Sequence, residues 1–230
     1  MKQLLVCFIC LCLAVACAPN PTAVLTAEQI AQRAADKMQT INSFHFSIVV
    51  SGPSKAIDAL GTLLLRRAEG DVLRPDRAKS RLRVSLGGLL VEIQAVAIGE
   101  QQWLTNPLTQ RWEPAPAGWG YNPAVLFDPQ RGLASLLNRA RNLSRGADDM
   151  LDNQRHYRLS GTTPTADVAA MTANMVTGSE VVFTVWVGAD DSVLRRLHLT
   201  ERNAGDKDAT EWEIVLSGFG QPITINPPTN

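Results

Sequence analysis

The chain has 230 residues, 45% of them apolar, enough for one large domain or two small ones with a sizeable core. Its 22 basic and 22 acidic residues cancel, which leaves no net field to draw nucleic acid or an anionic surface. All four cysteines, Cys7, Cys10, Cys12 and Cys17, lie at the start, so no disulfide framework can staple the rest of the chain.

Lys2 and the unbroken apolar run from Leu4 to Val15 have the form of a secretory signal, and the run is too short to span a membrane. Cys7, Cys10 and Cys12 act as small hydrophobes within it and are expected to leave with it. Leu13-Ala14-Val15-Ala16 before Cys17 resembles the lipobox of bacterial lipoproteins, in which the cysteine becomes the first mature residue and carries the lipid. The resemblance implies a signal over residues 1–16, an acylated Cys17, and a domain anchored at the extracytoplasmic face of the cell membrane. Ordinary cleavage nearby would leave a free thiol instead. Ala18-Pro19-Asn20-Pro21-Thr22 is proline-rich and reads as part of an extended tether over residues 17–25, with one domain over 26–230.

Thr26-Ala27-Glu28-Gln29 has the form of a capping box, and Ile30, Ala34, Met38 and Ile41 recur at helical spacing, predicting an amphipathic helix of about 16 residues. The period then changes to two: Phe44, Phe46, Ile48 and Val50 alternate with His45, Ser47 and Ser51, as in a strand with one buried face. Lys79, Arg81, Arg83 and Ser85 alternate with Leu82, Val84 and Leu86. After the two-residue turn Gly87-Gly88, the residues Leu89, Val91, Ile93, Ala95 and Ala97 continue an apolar face opposite Glu92 and Gln94. An antiparallel sheet charged on one side and aliphatic on the other needs its aliphatic side covered, by helices or by a ligand. Asp128-Pro129 predicts a covering helix bearing Leu133, Leu136, Leu137 and Ala140, and Thr163-Pro164 predicts another bearing Val168, Met171 and Met175. Strands are expected over residues 154–161, 181–187, 193–200 and 211–219, in one α+β domain.

Residues that carry chemistry are not gathered. His45, His156 and His198 have no second ligand at metal spacing and read as half-exposed strand residues. Asp148, Asp149 and Asp152 lack the glycine and distal glutamate of a calcium loop and read as a solvated loop. There is no Gly-x-Ser-x-Gly elbow, no phosphate-cradling glycine pattern, and no interleaving of aromatic with basic residues as a nucleic-acid surface requires. No catalytic residue, metal or cofactor is therefore expected, and a binder is favoured over an enzyme.

The stretch from Glu69 to Pro116 resembles the LppX/LprG family of bacterial cell-envelope lipoproteins. The resemblance rests on Gly70-Asp71, Pro75-Asp76-Arg77, the aliphatic hairpin and the segment Trp103-Leu104-Thr105-Asn106-Pro107 to Trp112. It extends to Trp186, Arg195-Arg196-Leu197 and Leu216-Ser217-Gly218-Phe219. It implies a fold similar to the periplasmic lipoprotein carriers LolA and LolB: a strongly curved antiparallel half-barrel with helices covering its concave face. It also implies a function, the binding and carriage of acylated lipid or glycolipid, with an envelope lipid transporter as a further partner. The expected cavity lining is Phe44, Phe46, Ile48, Leu82, Val84, Leu86, Val91, Ile93, Ala95, Leu136, Met171, Phe183 and Val185. The alternative for the same residues is a solid core, in an envelope interaction or assembly module with no lipid cargo.

Overall fold

The computed structural model describes residues 24–53, 56–201 and 208–229; the expected signal and Cys17 lie outside them. The capping box forms: the N–H of Gln29 donates to Thr26 Oγ1 at 3.2 Å, and the N–H of Thr26 donates to Gln29 Oε1 at 3.0 Å. Helix α1, Ala27–Thr40, buries Ala27, Ile30, Ala31, Ala34, Ala35 and Met38 on one face.

The chain then forms twelve strands: β1 Ser43–Ser51, β2 Leu63–Leu73, β3 Arg77–Leu86, β4 Leu89–Ile98, β5 Gln101–Thr105, β6 Trp112–Pro114, β7 Arg141–Arg145, β8 Asp149–Leu151, β9 Gln154–Pro164, β10 Glu180–Gly188, β11 Leu194–Glu201 and β12 Thr210–Ser217. They make one curved, open sheet in the order β6-β5-β4-β3-β2-β1-β12-β11-β10-β9-β7, with β8 paired to β9. The β1–β12 pair joins the two halves, with Ile48 opposite Ile214. Every named pairing is antiparallel. Gly87 and Gly88 both have positive φ, 57° and 87°, as a two-residue hairpin turn requires.

The expected strands over 154–161, 181–187, 193–200 and 211–219 are present to within three residues at either end. Five others carry weaker signals. In β2 the register shifts between Leu65 and Arg67, so Leu63-Leu64-Leu65-Arg66-Arg67 does not alternate cleanly. Strands β5, β6, β7 and β8 span three to five residues each, too few to establish a period. The loop expected at Asp148, Asp149 and Asp152 is in fact β8 with a tight turn behind it, where Asp152 and Asn153 adopt φ of 49° and 60°.

Both later helices differ from expectation. Asp128 does not cap a helix at Pro129. It closes the 3₁₀ helix Pro123–Phe127, and its carboxylate accepts the N–H groups of Gln130 at 2.8 Å and Arg131 at 3.0 Å, so the aspartate is spent on a turn. Helix α2 starts only at Leu133 and ends at Arg139. The strand pairing of β9 runs on through Thr162, Thr163 and Pro164, opposite Val182, Val181 and Glu180, so the β-branched threonines outweigh the proline as a helix start. Helix α3 is then a single turn, Thr165–Val168, and the chain leaves it through Ala173 and Asn174 at positive φ.

Gly70 lies on the concave side of β2, opposite Phe46 on β1 and Ser80 on β3. A Cβ at this position would collide with the Lys79 carbonyl and approach the Ser80 Cα to 2.7 Å, so two backbones meet where only glycine fits. Gly70→Ala is expected to destabilise the domain by about 2–4 kcal/mol, read as a lowered midpoint in chemical denaturation. An unchanged midpoint would show that the strands part without cost.

Candidate functional site: the concave apolar layer

Strand register gathers the inward residues into rows across the sheet. One row runs without a break through Leu159, Val185, Leu197, Ile214, Ile48, Ala68, Leu82 and Ile93, eight strands from β9 to β4. Phe46, Gly70, Ser80, Ala95 and Leu104 form the adjacent row on one side, and on the other Val84 faces Val91 while Phe183 faces Leu199. The outer side of the same strands carries ion pairs such as Glu69–Arg81–Glu92 and Arg196–Glu213. The alternation of the sequence is thus the alternation of an apolar concave face with a charged convex one.

Of the thirteen residues expected to line a cavity, twelve meet in one apolar cluster. Phe44, Phe46, Ile48, Leu82, Val84, Ile93, Ala95, Phe183 and Val185 enter it from the sheet, Leu136 from α2, Met171 from the turn after α3, and Val91 packs against it partly buried. The exception is Leu86, half-buried at the hairpin tip and outside the cluster. The layer is covered in this structure: Phe44, Phe46, Leu82, Val84, Leu136 and Val185 are all 0% exposed.

The cover is fastened at its edges by residues that periodicity does not single out. Arg74, just after β2, donates from Nε to the Ile41 carbonyl at 2.7 Å and through its terminal nitrogens to Met38 at 3.2 Å and Phe127 at 3.3 Å. Its guanidinium carbon lies 4.3 Å from the centre of the Phe127 ring, which in turn packs 4.5 Å from Phe44. A cation on the last carbonyls of α1 suits the negative end of the helix dipole. Burial lowers the Arg74 pKa, although an arginine so placed keeps its charge. At the other end of α1, Arg145 on β7 donates to the Leu25 carbonyl at 3.0 Å and to Asp148 at 2.9 Å, and lies 4.7 Å from the Tyr157 ring centre. The only hint of Arg74 in the sequence is its place beside Pro75-Asp76-Arg77.

Inside the apolar layer sit polar atoms without partners among the described residues: Ser80 Oγ, Tyr121 OH, Trp119 Nε1 and Trp212 Nε1. Ser80 is the polar neighbour of the Tyr121 hydroxyl but does not reach it in hydrogen-bonding geometry. Burial drives that phenol well above its usual range, with Ser80 acting weakly in the opposite sense.

The histidines fall in three settings. His45 Nδ1 is 2.9 Å from Asp71 on the convex face, and His198 Nε2 is 3.8 Å from Glu211. His156 departs from expectation: it is buried, 1% exposed, with Nδ1 held 2.8 Å from the Gln154 carbonyl. Asp149 accepts the Trp186 indole N–H at 2.8 Å, so it serves the sheet. Among the described residues no three His, Cys, Asp or Glu side chains are grouped as a metal site, and no helix is long and apolar enough to cross a membrane.

Comparison with known proteins places this architecture. The model of the LppX_LprAFG lipoprotein family matches residues 26–225. The lipoprotein LprA of Mycobacterium tuberculosis is 23% identical over 210 residues, spanning 88% of this chain and 81% of LprA. The lipoarabinomannan carrier protein LprG of the same organism is 23% identical over 204 residues, spanning 88% of this chain and 82% of LprG. The crystal structure of LprF from Mycobacterium bovis superposes with a TM-score of 0.70 at 22% identity, over 89% of this chain and 97% of LprF, a likeness of fold.

Proposed function

The chain belongs to the LppX_LprAFG family of lipoproteins, and from that premise we propose that it holds the acyl chains of a lipid or glycolipid between the concave sheet and its cover. It carries that lipid at the extracytoplasmic face of the cell membrane, to which acylated Cys17 anchors it, and passes it to an envelope lipid transporter. Twelve of the thirteen residues expected from the sequence line the space; Leu86, at the hairpin tip, stands outside it.

The observation that supports this reading is the composition of the interior. A row of aliphatic side chains crosses eight strands, and the cover over it includes two short helices, α2 of seven residues and α3 of four. Burying a methylene contributes roughly 0.8 kcal/mol, so an acyl chain of about a dozen carbons provides the driving force to displace such a cover without any specific polar contact. The unpartnered Ser80, Tyr121, Trp119 and Trp212 atoms fit the same reading. Buried polar groups are nearly always paired, so on this reading these atoms are left to meet ester and hydroxyl groups of the cargo.

A second reading, an interaction or assembly module with a solid core, is favoured by the closed state of the layer, where Phe44, Leu82 and Val84 are all 0% exposed. Native mass spectrometry of the purified protein separates the two. Bound lipid is expected as added mass; a clean apo mass, with no uptake of fluorescent fatty acid, would establish the solid core.

A further inference from the structure

Among the described residues four leucines are exposed, and three of them gather at one end of the half-barrel: Leu60 at 85%, Leu89 at 72% and Leu90 at 72%. The register fixes their common place. Leu63 at the start of β2 pairs with Leu86 at the end of β3, and Leu86 pairs with Leu89 across the Gly87-Gly88 turn. The fourth, Leu108, lies in the β5–β6 turn, which opens toward the same end but starts farther back, since Thr105, the last residue of β5, accepts the N–H of Gln94, several residues from the tip.

The binary pattern of the sheet stops at this end. Along the convex face Arg67, Arg83 and Glu92 stand in one row, and the next row outward is Leu64, Ser85 and Leu90. The concave side of the tip carries Leu63, Leu86 and Leu89. The last rungs therefore have leucine on both faces, with a charged collar about 7 Å behind. No charge occurs between Leu86 and Val91.

The turn that carries Leu60 is built. Asp58 accepts the N–H of Thr62 at 2.9 Å, the Thr62 hydroxyl at 2.7 Å and the N–H of Leu63 at 2.7 Å. Burial would by itself raise the Asp58 carboxyl, but the bonds from Leu63 and Thr62 outweigh it and hold the group below the usual aspartate range, so the turn persists at neutral pH. One exposed leucine is ordinary, but Leu60, Leu89 and Leu90 exposed at one end of the sheet are the grouped pattern that marks an interaction site.

We propose that Leu60, Leu89 and Leu90 form a lip that enters the surface of a lipid bilayer, setting this end of the half-barrel against the membrane while the charged collar stays at headgroup level. The collar behind an apolar tip is the arrangement of interfacial anchors. The chain before α1 identifies the bilayer as the occupant. Leu25 is held by Arg145 of β7, which pairs with Leu159 at the end of the Leu159–Ile93 row, and four residues of β4, about 13 Å, lead from that row to Leu89. The eight residues 18–25 extend at most about 26–29 Å, so Cys17 and the lip reach one flat surface together, and the tether keeps that surface at high effective concentration. The inference rests on the anchored carrier reading for that geometry.

Residues 18–230 hold every described element and carry no acyl anchor, which exposes the lip's own affinity. Flotation with neutral phosphatidylcholine vesicles should show binding that weakens at least about tenfold in the Leu89→Asp/Leu90→Asp protein, while Met150→Asp, at an exposed position remote from the tip, leaves it unchanged. Fluorescent fatty acid uptake from solution, measured on the same proteins, reports the cavity separately: its loss alone counts against the carrier and leaves the lip standing. No vesicle binding by the parent protein, or equal binding by parent and double variant, would overturn the lip. A fall in oligomer mass in the double variant with unchanged vesicle binding would overturn it in favour of a second copy as occupant.

Discussion

Ala95→Trp is expected to lower bound lipid at least about tenfold while the protein keeps its fold, as long as the concave layer opens for cargo. Ala95 is 7% exposed, between Ser80 on β3 and Leu104 on β5, in the row that also holds Phe46 and Gly70. A tryptophan here projects an indole into the layer. If the layer parts to admit acyl chains, the indole takes their place and excludes them. If the layer is a solid core, the indole has no room, and overpacking destabilises the domain by about 1–3 kcal/mol or more. Lipid content by native mass spectrometry and thermal midpoint, taken together, separate the cases: lipid lost with the midpoint held supports the carrier, whereas a lowered midpoint with no lipid in either protein supports the solid core. Val91→Trp, nearer the tip and already partly exposed, is expected to slow uptake with a smaller effect on the midpoint.

The sheet was legible wherever side chains alternate long enough for one face to be named. Arg81 to Leu86 and Val91 to Ala95 alternate without interruption, so strand and buried face can be read from the residues, and the structure places twelve of the thirteen expected lining residues in one cluster. Where alternation fails, the reason is physical. The bulge after Leu65 moves one residue out of phase, and β5 to β8 are edge or paired-edge strands whose identity depends on a neighbour far along the chain. The helix starts misled for a different reason. Asp and Thr before proline serve turns and strand ends as readily as helix caps, and the choice is made by which backbone N–H groups arrive: Gln130 and Arg131 at Asp128, and the β10 ladder at Thr163. Arg74 and Arg145 were invisible because a guanidinium that closes a cover has no sequence period; only the fold brings it to a helix end. Leu60, Leu89 and Leu90 were readable as apolar, but not as exposed, since exposure belongs to the end of a sheet and not to a residue type.

Exchanging residues 1–17 for an ordinary cleaved secretory signal should move the protein from the membrane pellet to the soluble fraction, leaving fatty acid uptake within about twofold. The reason is where affinity resides. The proposed acylation at Cys17 would hold the domain through buried methylenes at roughly 0.8 kcal/mol each, far outweighing three surface leucines, so its loss is expected to dominate partition. On the proposed reading cargo affinity resides elsewhere, in the row from Leu159 to Ile93, which the exchange does not touch. Mass spectrometry of the native chain gives the complementary measurement: a mature protein that begins at Cys17 and carries added acyl mass. A native chain that retains a free Cys17 thiol, or an exchanged protein that still pellets quantitatively, would refute the anchor. If the exchanged protein keeps a weak membrane fraction, adding Leu89→Asp and Leu90→Asp should remove it, because the remaining hold is then the lip. On the proposed reading anchor and lip divide the work physically: the first sets how far the carrier can travel, the second sets which end of the half-barrel meets the bilayer.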